Sequence, residues 1–481
     1  MRKRIKWIVL LAIIAIAGGL LLYALNATVF AESESLFGNN FIMSDSMTIL
    51  FVFLLSIPVL LIVLLMVWTI MREAPNKIVA DLRGMQGVLK QPPKKKTDAA
   101  PSSDTQDGEE AVEETIEEEH GEHQRFCMLS EIEKRKDSYG HANYDKDITL
   151  ESFCTDFRNY AANRLKLYYE ISDIRRFVAG LALSHIIILQ GMSGTGKTSL
   201  AHAFGSFIDN SSTIIPVQPM WKERTDLVGY YNEFTKKFNE TLLLEKMYEA
   251  NYSEDMYITV LDEMNIARIE YYFAEFLSLL ELPNPEERYI DVVSDKWDND
   301  PSQLKDGRIK LPPNMWFIGT ANNDDSTFAI SDKVYDRAMI LNLDTKSERY
   351  VAPKTDKKYI SCEQFNRLVA EAIDEYRISN RNMKRLEQLD KYLIEHFHIT
   401  FGNRIMKQIK TYIPVYVSCG GEELEALDDI LSKKVIRKLE TQNPIYLRNE
   451  AEGLVEYINE LFGNENMTLC KDYIHRLERN A

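Results

Sequence analysis

The sequence GMSGTGKT at residues 191–198 follows the apolar run HIIILQ at residues 185–190. It matches G-x-x-x-x-G-K-[ST], a pattern in which glycines let the backbone curl until successive N–H groups face phosphate oxygens. Residues 199–207 continue with a helical pattern, and the N-terminus of a helix adds partial positive charge there. A strand before the motif and a helix after it together predict a phosphate-binding loop.

Each residue of this loop has a predicted role. We expect Lys197 to neutralise the β- and γ-phosphates of a nucleotide and Thr198 to place its hydroxyl on Mg²⁺. The remaining residues expected to bind the nucleotide are Gly191, Ser193, Gly194, Thr195, Gly196 and Ser199. The sequence therefore predicts a nucleoside triphosphate and Mg²⁺ as the bound cofactors.

Two further apolar runs, MYITVL at residues 256–261 and MWFIGT at residues 315–320, also end in polar residues. Runs that are apolar on both faces fit central strands of a parallel sheet in an α/β fold, whose carboxyl ends carry the ligand. The first run leads to Asp262, expected to hold the Mg²⁺ shell, and Glu263, expected to activate the attacking water. The second leads to Asn322, predicted to bridge the γ-phosphate and that water. Its neighbour Asn323 is the alternative, and a simple turn also fits the pair.

The composition bounds the remaining possibilities. The chain has 481 residues, of which 45% are hydrophobic and 27% charged, with a net charge of -16. These values exclude a fibrous or wholly disordered protein and argue against a broad surface that coats nucleic acid. The five cysteines are far apart, so neither a disulfide framework nor a zinc ribbon is indicated.

The N-terminal residues 1–74 predict a hairpin of two transmembrane helices. Residues 7–30 and 47–70 carry no charge, and each run would extend ~36 Å as a helix, enough to cross a bilayer core of ~30 Å. Lys and Arg flank both ends, whereas the connector at residues 31–46 has none. This asymmetry places both ends in the cytoplasm of a multi-pass protein of the inner membrane. A cleaved signal peptide over the first run is the alternative, and it leaves the rest cytoplasmic.

The rest of the chain divides into three parts. Residues 75–144 are predicted to be a charged flexible linker, because residues 98–122 are strongly acidic without Lys or Arg. A solvated acidic helix is the alternative for part of this linker. Residues 145–346 are predicted to form the α/β core, and residues 347–481 a helical lid with a C-terminal extension. In that last part helices are expected over residues 362–376, 381–397, 428–439 and 450–462.

The motifs resemble, in order and spacing, the AAA+ NTPases of the McrB type, which are the motor subunits of modification-dependent restriction systems. The likeness covers about residues 145–445. Besides the phosphate loop it rests on RFVAGL (176–181), WKERTDLVGYYN (221–232), VLDEMNIARIEYYFAEFLSLLE (260–281), FIGTANND (317–324), ISDKVYDRAMIL (330–341) and FGNR (401–404). The resemblance implies an AAA+ P-loop NTPase core with a helical lid, assembled as a homo-oligomeric, hexameric ring.

The resemblance also implies roles for two arginines. Arg337 matches the residue with which one subunit reaches the γ-phosphate of its neighbour, and a surface salt bridge with Asp336 is the alternative. Arg404 matches the lid arginine that senses the γ-phosphate within its own subunit. Residues 218–231 resemble the helix-2 insertion of this clade, in which Trp221, Lys222 and Arg224 are candidates to contact a partner or a threaded strand. Packing is the alternative for Trp221.

The chain also departs from the McrB pattern. Members that prefer GTP carry Met-Asn-x-x-Asp-Arg-Ser after the sensor strand, whereas here Ser326 stands in place of the arginine. We therefore expect ATP rather than GTP as the substrate. A domain that reads modified bases does not precede the core; the predicted membrane hairpin and linker stand in its place.

The expected function is that of a membrane-anchored ATPase whose hydrolysis drives remodelling or translocation for a separately encoded effector or activator. By analogy with the family, the expected role is prokaryotic defence against phage or foreign DNA. One alternative is a MoxR-like membrane-tethered chaperone that remodels protein complexes, and another is a nucleotide-gated scaffold. Nucleic acid that enters the pore is a further candidate partner.

Overall fold

The computed structural model describes residues 124–141, 143–322, 327–344 and 347–480. The predicted membrane spans over residues 7–30 and 47–70 lie outside the described residues, as do the linker as far as residue 123 and Asn323. Within the described ranges, no helix combines the length and the apolar character needed to cross a bilayer.

A parallel sheet forms the centre of the fold. The strands are β1 (Ile186–Gly191), β2 (Thr213–Pro216), β3 (Gly229–Asn232), β4 (Lys237–Glu240), β5 (Tyr257–Asp262), β6 (Tyr289–Asp291), β7 (Leu304–Lys305), β8 (Arg308–Lys310), β9 (Met315–Asn322) and β10 (Met339–Asn342). Five of them pair in parallel in the order β10-β1-β9-β5-β2. Strands β1, β5 and β9 occupy the three predicted apolar runs, which confirms the parallel α/β core.

Helices cover the sheet and make up most of the chain after it. They are α1 (Met128–Lys134), α2 (Leu150–Tyr160), α3 (Ile171–Leu183), α4 (Lys197–Phe207), α5 (Thr225–Val228), α6 (Leu242–Ala250), α7 (Ile269–Tyr272), α8 (Ala274–Leu279), α9 (Asp332–Tyr335), α10 (Cys362–Glu375), α11 (Asn380–Phe397), α12 (Gly402–Ser418), α13 (Glu423–Lys434), α14 (Pro444–Phe462) and α15 (Thr468–Asn480). The C-terminal part is helical, as predicted.

Two predicted helices have different bounds, and the one expected over residues 450–462 begins earlier, at Pro444. The helix expected over residues 428–439 is interrupted: α13 ends at Lys434, and a 3₁₀ turn, Ile436–Thr441, follows it. Val435 lies between them with φ −116° and ψ −63°, away from ideal helical geometry. The apolar pattern continues through the interruption because Ile436 and Leu439 are still buried, so periodicity alone did not show the break.

Successive side chains of β1 point into two different cores, as the pleat of a strand requires. Ile187 and Leu189 face a core that includes the phenylalanines of α2, α3 and α4, with ring centroids 5.1–6.2 Å apart. Ile186 and Ile188 face the opposite core, where Phe317 of β9 meets two aromatic rings edge-on. Burial of both faces explains the almost unbroken apolar character of the central strands.

Two small antiparallel sheets interrupt the α/β order. Strands β3 and β4 form a hairpin between β2 and α6; β3 begins at the end of the predicted insertion, residues 218–231, and β4 lies beyond it. Strands β6, β8 and β7 form a second sheet between α8 and β9. Phe234, in the turn of the first hairpin, has 99% of its side chain exposed.

The linker predicted over residues 75–144 ends earlier than expected. Arg125 is 2% exposed, and its guanidinium binds Asp300 at 2.6 and 2.7 Å and Asp295 at 3.1 Å. The backbone N–H groups of residues 127–129, at the start of α1, all donate to the carboxylate of Glu240 at 2.7–2.9 Å. Phe126 and the apolar side of α1 are buried in the same core as β5 and β9. The folded unit therefore includes residues from Arg125 onward.

Candidate nucleotide site

The phosphate loop lies between the end of β1 and the start of α4. Gly191, Gly194 and Gly196 adopt φ values of 151°, 81° and 94°, which L side chains rarely adopt. A Cβ on Gly191 would lie 2.5 Å from the carbonyl oxygen of Leu343, so only glycine fits there. Ser193 is exposed in the loop and Thr195 is half-buried, while Ser199 follows in the first turn of α4.

Lys197 is 7% exposed and lies inside the loop. Its ammonium donates to the carbonyl oxygens of Gly191 at 3.1 Å and Met192 at 2.8 Å. Tyr169, which the sequence analysis did not identify, donates its hydroxyl proton to the carbonyl oxygen of Gly196 at 3.1 Å. Burial raises the pKa of Tyr169, so the phenol keeps the proton that it donates. These contacts hold the loop in its curled conformation.

Asp262, at the end of β5, accepts two hydrogen bonds on one oxygen. The hydroxyls of Thr198 and Thr320 both donate to Asp262 Oδ1 at 2.8 Å. The Thr320 hydroxyl also accepts from the backbone N–H of Glu263 at 2.9 Å. The two predicted Mg²⁺ residues, Thr198 and Asp262, are therefore in direct contact. Carboxylate and hydroxyl oxygens are ligands that Mg²⁺ prefers, so these residues fit the ion that the motif implies.

Glu263 follows Asp262 with φ 54°, in the left-handed region that is uncommon for a residue with a side chain. Its side chain is exposed at the carboxyl edge of the sheet. Next along the chain, Met264 is buried, and its sulfur lies 2.2 Å from the place where a Cβ on Gly319 would be. The bend at Glu263 thus directs its carboxylate outward while the chain returns to the core.

Asn322 ends β9 opposite Gly191 of β1, which places it at the edge of the phosphate loop. The buried side chain of Asn265 holds its backbone on both sides. Asn265 Oδ1 accepts from the N–H of Asn322 at 3.3 Å, and Asn265 Nδ2 donates to the carbonyl oxygens of Asn322 at 2.9 Å and Phe328 at 3.2 Å. Asn265 is therefore a further positioning residue that the sequence analysis missed.

The two predicted arginines share one carboxylate. Arg337 Nη2 lies 3.1 Å from Glu281 Oε2, and Arg404 Nη2 lies 2.9 Å from Glu281 Oε1. Arg337 also donates to the hydroxyl of Ser278 at 3.5 Å. Both guanidinium groups are partly exposed. The structure thus brings the two arginines together on Glu281.

Two of the three candidate side chains of the predicted insertion contact residues 272–275 of the same chain. Trp221 is partly buried, with its ring centroid 5.5 Å from that of Tyr272 in an edge-on arrangement. Arg224 forms an ion pair with Glu275 at 3.0 Å. Lys222 is exposed. Of the two readings for Trp221, the structure favours packing.

Two segments of the chain match known protein families. Residues 186–338 match the family model for an AAA domain of the dynein-related subfamily. This segment is an AAA+ domain. AAA+ domains typically bind ATP with Mg²⁺, so the match indicates NTPase activity without distinguishing ATP from GTP. Residues 349–481 match a domain of unknown function, DUF8727. No curated protein matches the chain.

Two solved structures are similar at low identity. A Cytophaga hutchinsonii protein, described provisionally as an ATPase, shares 14% identity over 69% of this chain and 96% of its own length, with a TM-score of 0.42. A full-length MCM homolog from Methanopyrus kandleri shares 12% identity over 64% of this chain and 61% of its own, with a TM-score of 0.33.

Proposed function

We propose that the chain is a ring-forming ATPase whose AAA+ domain cleaves ATP at the junction between neighbouring copies. The observation that carries this proposal is the convergence on Asp262 of Thr198 from the phosphate loop and Thr320 from β9. One carboxylate oxygen thereby joins the loop that would hold the phosphates to the strand that leads to the sensor. Glu263, anchored to the same threonine through its N–H, stands beside it as the base that orients water.

The residues of the chain divide the work of hydrolysis. Lys197 and the loop amides bind the phosphates, and Thr198 and Asp262 would hold Mg²⁺, which supplies neutralising charge to the phosphate oxygens. Glu263 accepts a proton from the attacking water, and Asn322 orients that water against the γ-phosphate.

Arg337 can reach the active site of a neighbouring copy only when its ion pair with Glu281 opens. A guanidinium held by a carboxylate of its own chain does not neutralise a phosphate elsewhere, so Glu281 competes with the nucleotide for Arg337 and Arg404. In this proposal Arg337 acts on the neighbouring site and Arg404 on its own. The two arginines therefore separate when the ring is loaded with nucleotide.

The finer proposal is a McrB-like role: anchorage in the inner membrane through residues 7–30 and 47–70, and work for a separately encoded effector in prokaryotic defence. It is supported by the order of the motifs and by the two uncharged runs with Lys and Arg on their flanks. The full chain should stay with membranes after a high-pH wash, and a chain without residues 1–74 should be released. Release of both would contradict the anchor.

A MoxR-like chaperone is the second candidate, and the hairpin of β3 and β4 favours it. The hairpin carries exposed apolar side chains: Phe234 is 99% exposed and Tyr230 52%. Met220, which precedes the hairpin in the sequence, is 83% exposed. Such side chains suit contact with an unfolded polypeptide better than contact with a phosphate backbone. Phe234→Ser should then abolish stimulation of turnover by an unfolded protein while leaving stimulation by DNA unchanged.

The test of the shared site uses the full chain in mild detergent, with ATP and GTP turnover measured against protein concentration. Turnover per subunit should rise with concentration, and Glu263→Gln should abolish it. Arg337→Ala should lower turnover by about 10³-fold, the usual effect of losing an arginine finger. Lys333→Ala, which removes an exposed cation from α9, is the matched control. Turnover by Arg337→Ala equal to that of the control would disprove the proposal.

A further inference from the structure

The C-terminal part of the chain contacts the short segment of the AAA+ domain that carries Arg337. The ammonium of Lys434, the last residue of α13, donates to the carbonyl oxygens of Tyr335 and Ala338, both at 2.5 Å. Gln408 of α12 donates to the carbonyl oxygen of Asp336 at 3.2 Å. Three backbone carbonyls within four residues thus accept protons from the region that matches a domain of unknown function.

A second contact connects the same region to the phosphate loop. Arg437 donates to Asp332 Oδ1 at 2.7 Å, and its guanidinium carbon lies 3.9 Å from the ring centroid of Tyr335. The Tyr335 hydroxyl donates to Gln190 Oε1 at 3.3 Å. Gln190 immediately precedes Gly191 on β1. A chain of contacts therefore runs from the C-terminal region through α9 to the first glycine of the phosphate loop.

Helix α13 is itself fixed on its other side. Asp429 is 1% exposed, forms ion pairs with Lys433 at 2.5 Å and with Arg176 of α3 at 3.1 Å, and accepts from the Tyr412 hydroxyl at 2.6 Å. These contacts fix α13 against the helices around it. When those helices move, α13 moves with them and carries the Lys434 ammonium at its end.

Burial of the Lys434 ammonium costs free energy, because the charged group loses its hydration. The residue is 3% exposed, and burial lowers its pKa to about 7, opposed by Asp336 and reinforced by the nearby cations Arg437, Lys433 and Arg404. A buried amine is retained with two carbonyl acceptors because those bonds replace its hydration. They also cap the carbonyl end of α9, next to Arg337.

We propose that the C-terminal region, through Lys434, positions Arg337 for the active site of the neighbouring copy. Lys434 is a positioning residue: it touches the backbone on both sides of Arg337 and acts through it. This inference rests on the proposed action of Arg337 in trans and goes beyond it, because it assigns a task to the region of unknown function. The nucleotide state of one subunit can then alter the site of the next.

The contact is also built so that it can rearrange. Ser331 Oγ, Gln408 Oε1 and Arg437 Nε are buried and have no hydrogen-bond partner among the described residues. A cavity of about 330 Å³ is lined among others by Tyr335 and Arg437. Unpaired polar groups and a cavity at Arg437 leave room for a second arrangement of this contact.

The test mixes two full-length variants that are inactive alone. Lys197→Ala lacks a working phosphate site but supplies Arg337, whereas Arg337→Ala binds nucleotide but supplies no finger. In a randomly mixed head-to-tail ring, about a quarter of the junctions pair an intact phosphate site with an intact finger, so ATP turnover should return to that extent. Absence of any recovery would refute the shared site itself, independently of Lys434.

Lys434→Met is then placed in either variant. Added to Lys197→Ala, the finger donor, it should lower the recovered turnover by roughly 10–100-fold, the cost of a misplacement near 1 Å. Added to Arg337→Ala, the nucleotide binder, it should leave the recovered turnover within about twofold of the unmodified mixture, since the neighbour's finger is intact. Lys410→Met, at an exposed position of α12, is the control for both placements.

A purely structural role predicts equal losses in both placements, which would overturn the inference, as would no loss in either. Size-exclusion chromatography and thermal unfolding of each variant show whether it folds and assembles. If Lys434→Met does not fold, Gln408→Met replaces it, since that side chain donates to the same segment from α12. Its loss should show the same dependence on placement, and a symmetric loss would again overturn the inference.

Discussion

Replacing Thr320 with valine removes one hydroxyl and nearly nothing else from the centre of the nucleotide site. That hydroxyl donates to Asp262 Oδ1 at 2.8 Å and accepts from the N–H of Glu263 at 2.9 Å. Thr320 is 3% exposed, so water does not readily take the place of either bond. We expect the change to affect both acidic residues while the packing of β9 is preserved.

The size of the effect follows from the two bonds. A hydrogen bond to a charged group contributes roughly 1.5–3 kcal/mol, and a buried N–H left without an acceptor costs roughly 1–3 kcal/mol. The bond that Asp262 retains from Thr198 offsets part of the first loss. We expect the free energy of unfolding to fall by roughly 2–4 kcal/mol. Turnover should fall by roughly 10–100-fold, because Glu263 loses the bond that fixes its backbone.

The assay separates binding from chemistry. Titration with a fluorescent ATP analogue should give nearly the affinity of the original protein, because Lys197 and its loop are unchanged. Single-turnover hydrolysis should show the loss. Thr320→Ser keeps the hydroxyl and removes one methyl group, at a cost of about 1 kcal/mol in stability, and should hydrolyse nearly normally. Valine and serine variants with equal turnover would refute the role assigned to this hydroxyl.

Three further changes test other parts of the structure. Gly191→Ala should lower the free energy of unfolding by at least ~1–3 kcal/mol and abolish nucleotide binding. The reason is that the new Cβ would lie 2.5 Å from the carbonyl oxygen of Leu343. Normal nucleotide binding by this variant would contradict the backbone conformation described for Gly191. Burial lowers the pKa of His185 from 6.5 to about 4. As the pH falls from 6.5 to 4, the unfolded chain therefore binds a proton at this residue before the folded chain does. The free energy of unfolding should decrease over this pH range. Urea titrations should show a smaller decrease for His185→Asn. Glu281→Gln should release Arg337 and lower the protein concentration at half-maximal turnover, whereas slower turnover at all concentrations would mean that Glu281 positions the arginine.

The sheet and the phosphate loop could be predicted from the sequence because their signals are local. Central parallel strands are apolar on both faces, which distinguishes them in a single pass along the chain. The loop encodes its backbone in its own glycines. Lys197, Thr198 and Asp262 followed from these two features, and the structure places Thr198 and Asp262 in contact.

What could not be predicted depends on pairing between distant segments. Thr320 meets Asp262 only because β9 pairs with β5 in a particular register, and a threonine in a strand carries no sign of that role. Asn265 lies in a motif of the family resemblance and was given no role there, yet its amide holds the end of the strand at Asn322. Glu281 ends a motif that carries the family resemblance, residues 260–281, but nothing in that motif indicated a contact with Arg337. The contact depends on the tertiary fold alone.

The boundary near residue 125 illustrates the limit of composition as a signal. Acidic residues dominate residues 98–122, so the average character of the region indicated a linker throughout. Phe126, Leu129 and Ile132 nevertheless recur at a spacing of three, and all are buried. About two helical turns of regularly spaced apolar residues after a charged run were the signal that would have found this boundary.

The attachment of Arg125 has a mechanical consequence. Tension on the polypeptide that precedes Gln124 would reach the folded unit first at the bidentate clamp of Arg125 on Asp300 and at the Glu240 carboxylate, which belongs to β4. Asp300 and Glu240 both lie outside the parallel sheet. The first contacts to carry a load on the N-terminal chain therefore do not belong to the sheet that holds the phosphate loop.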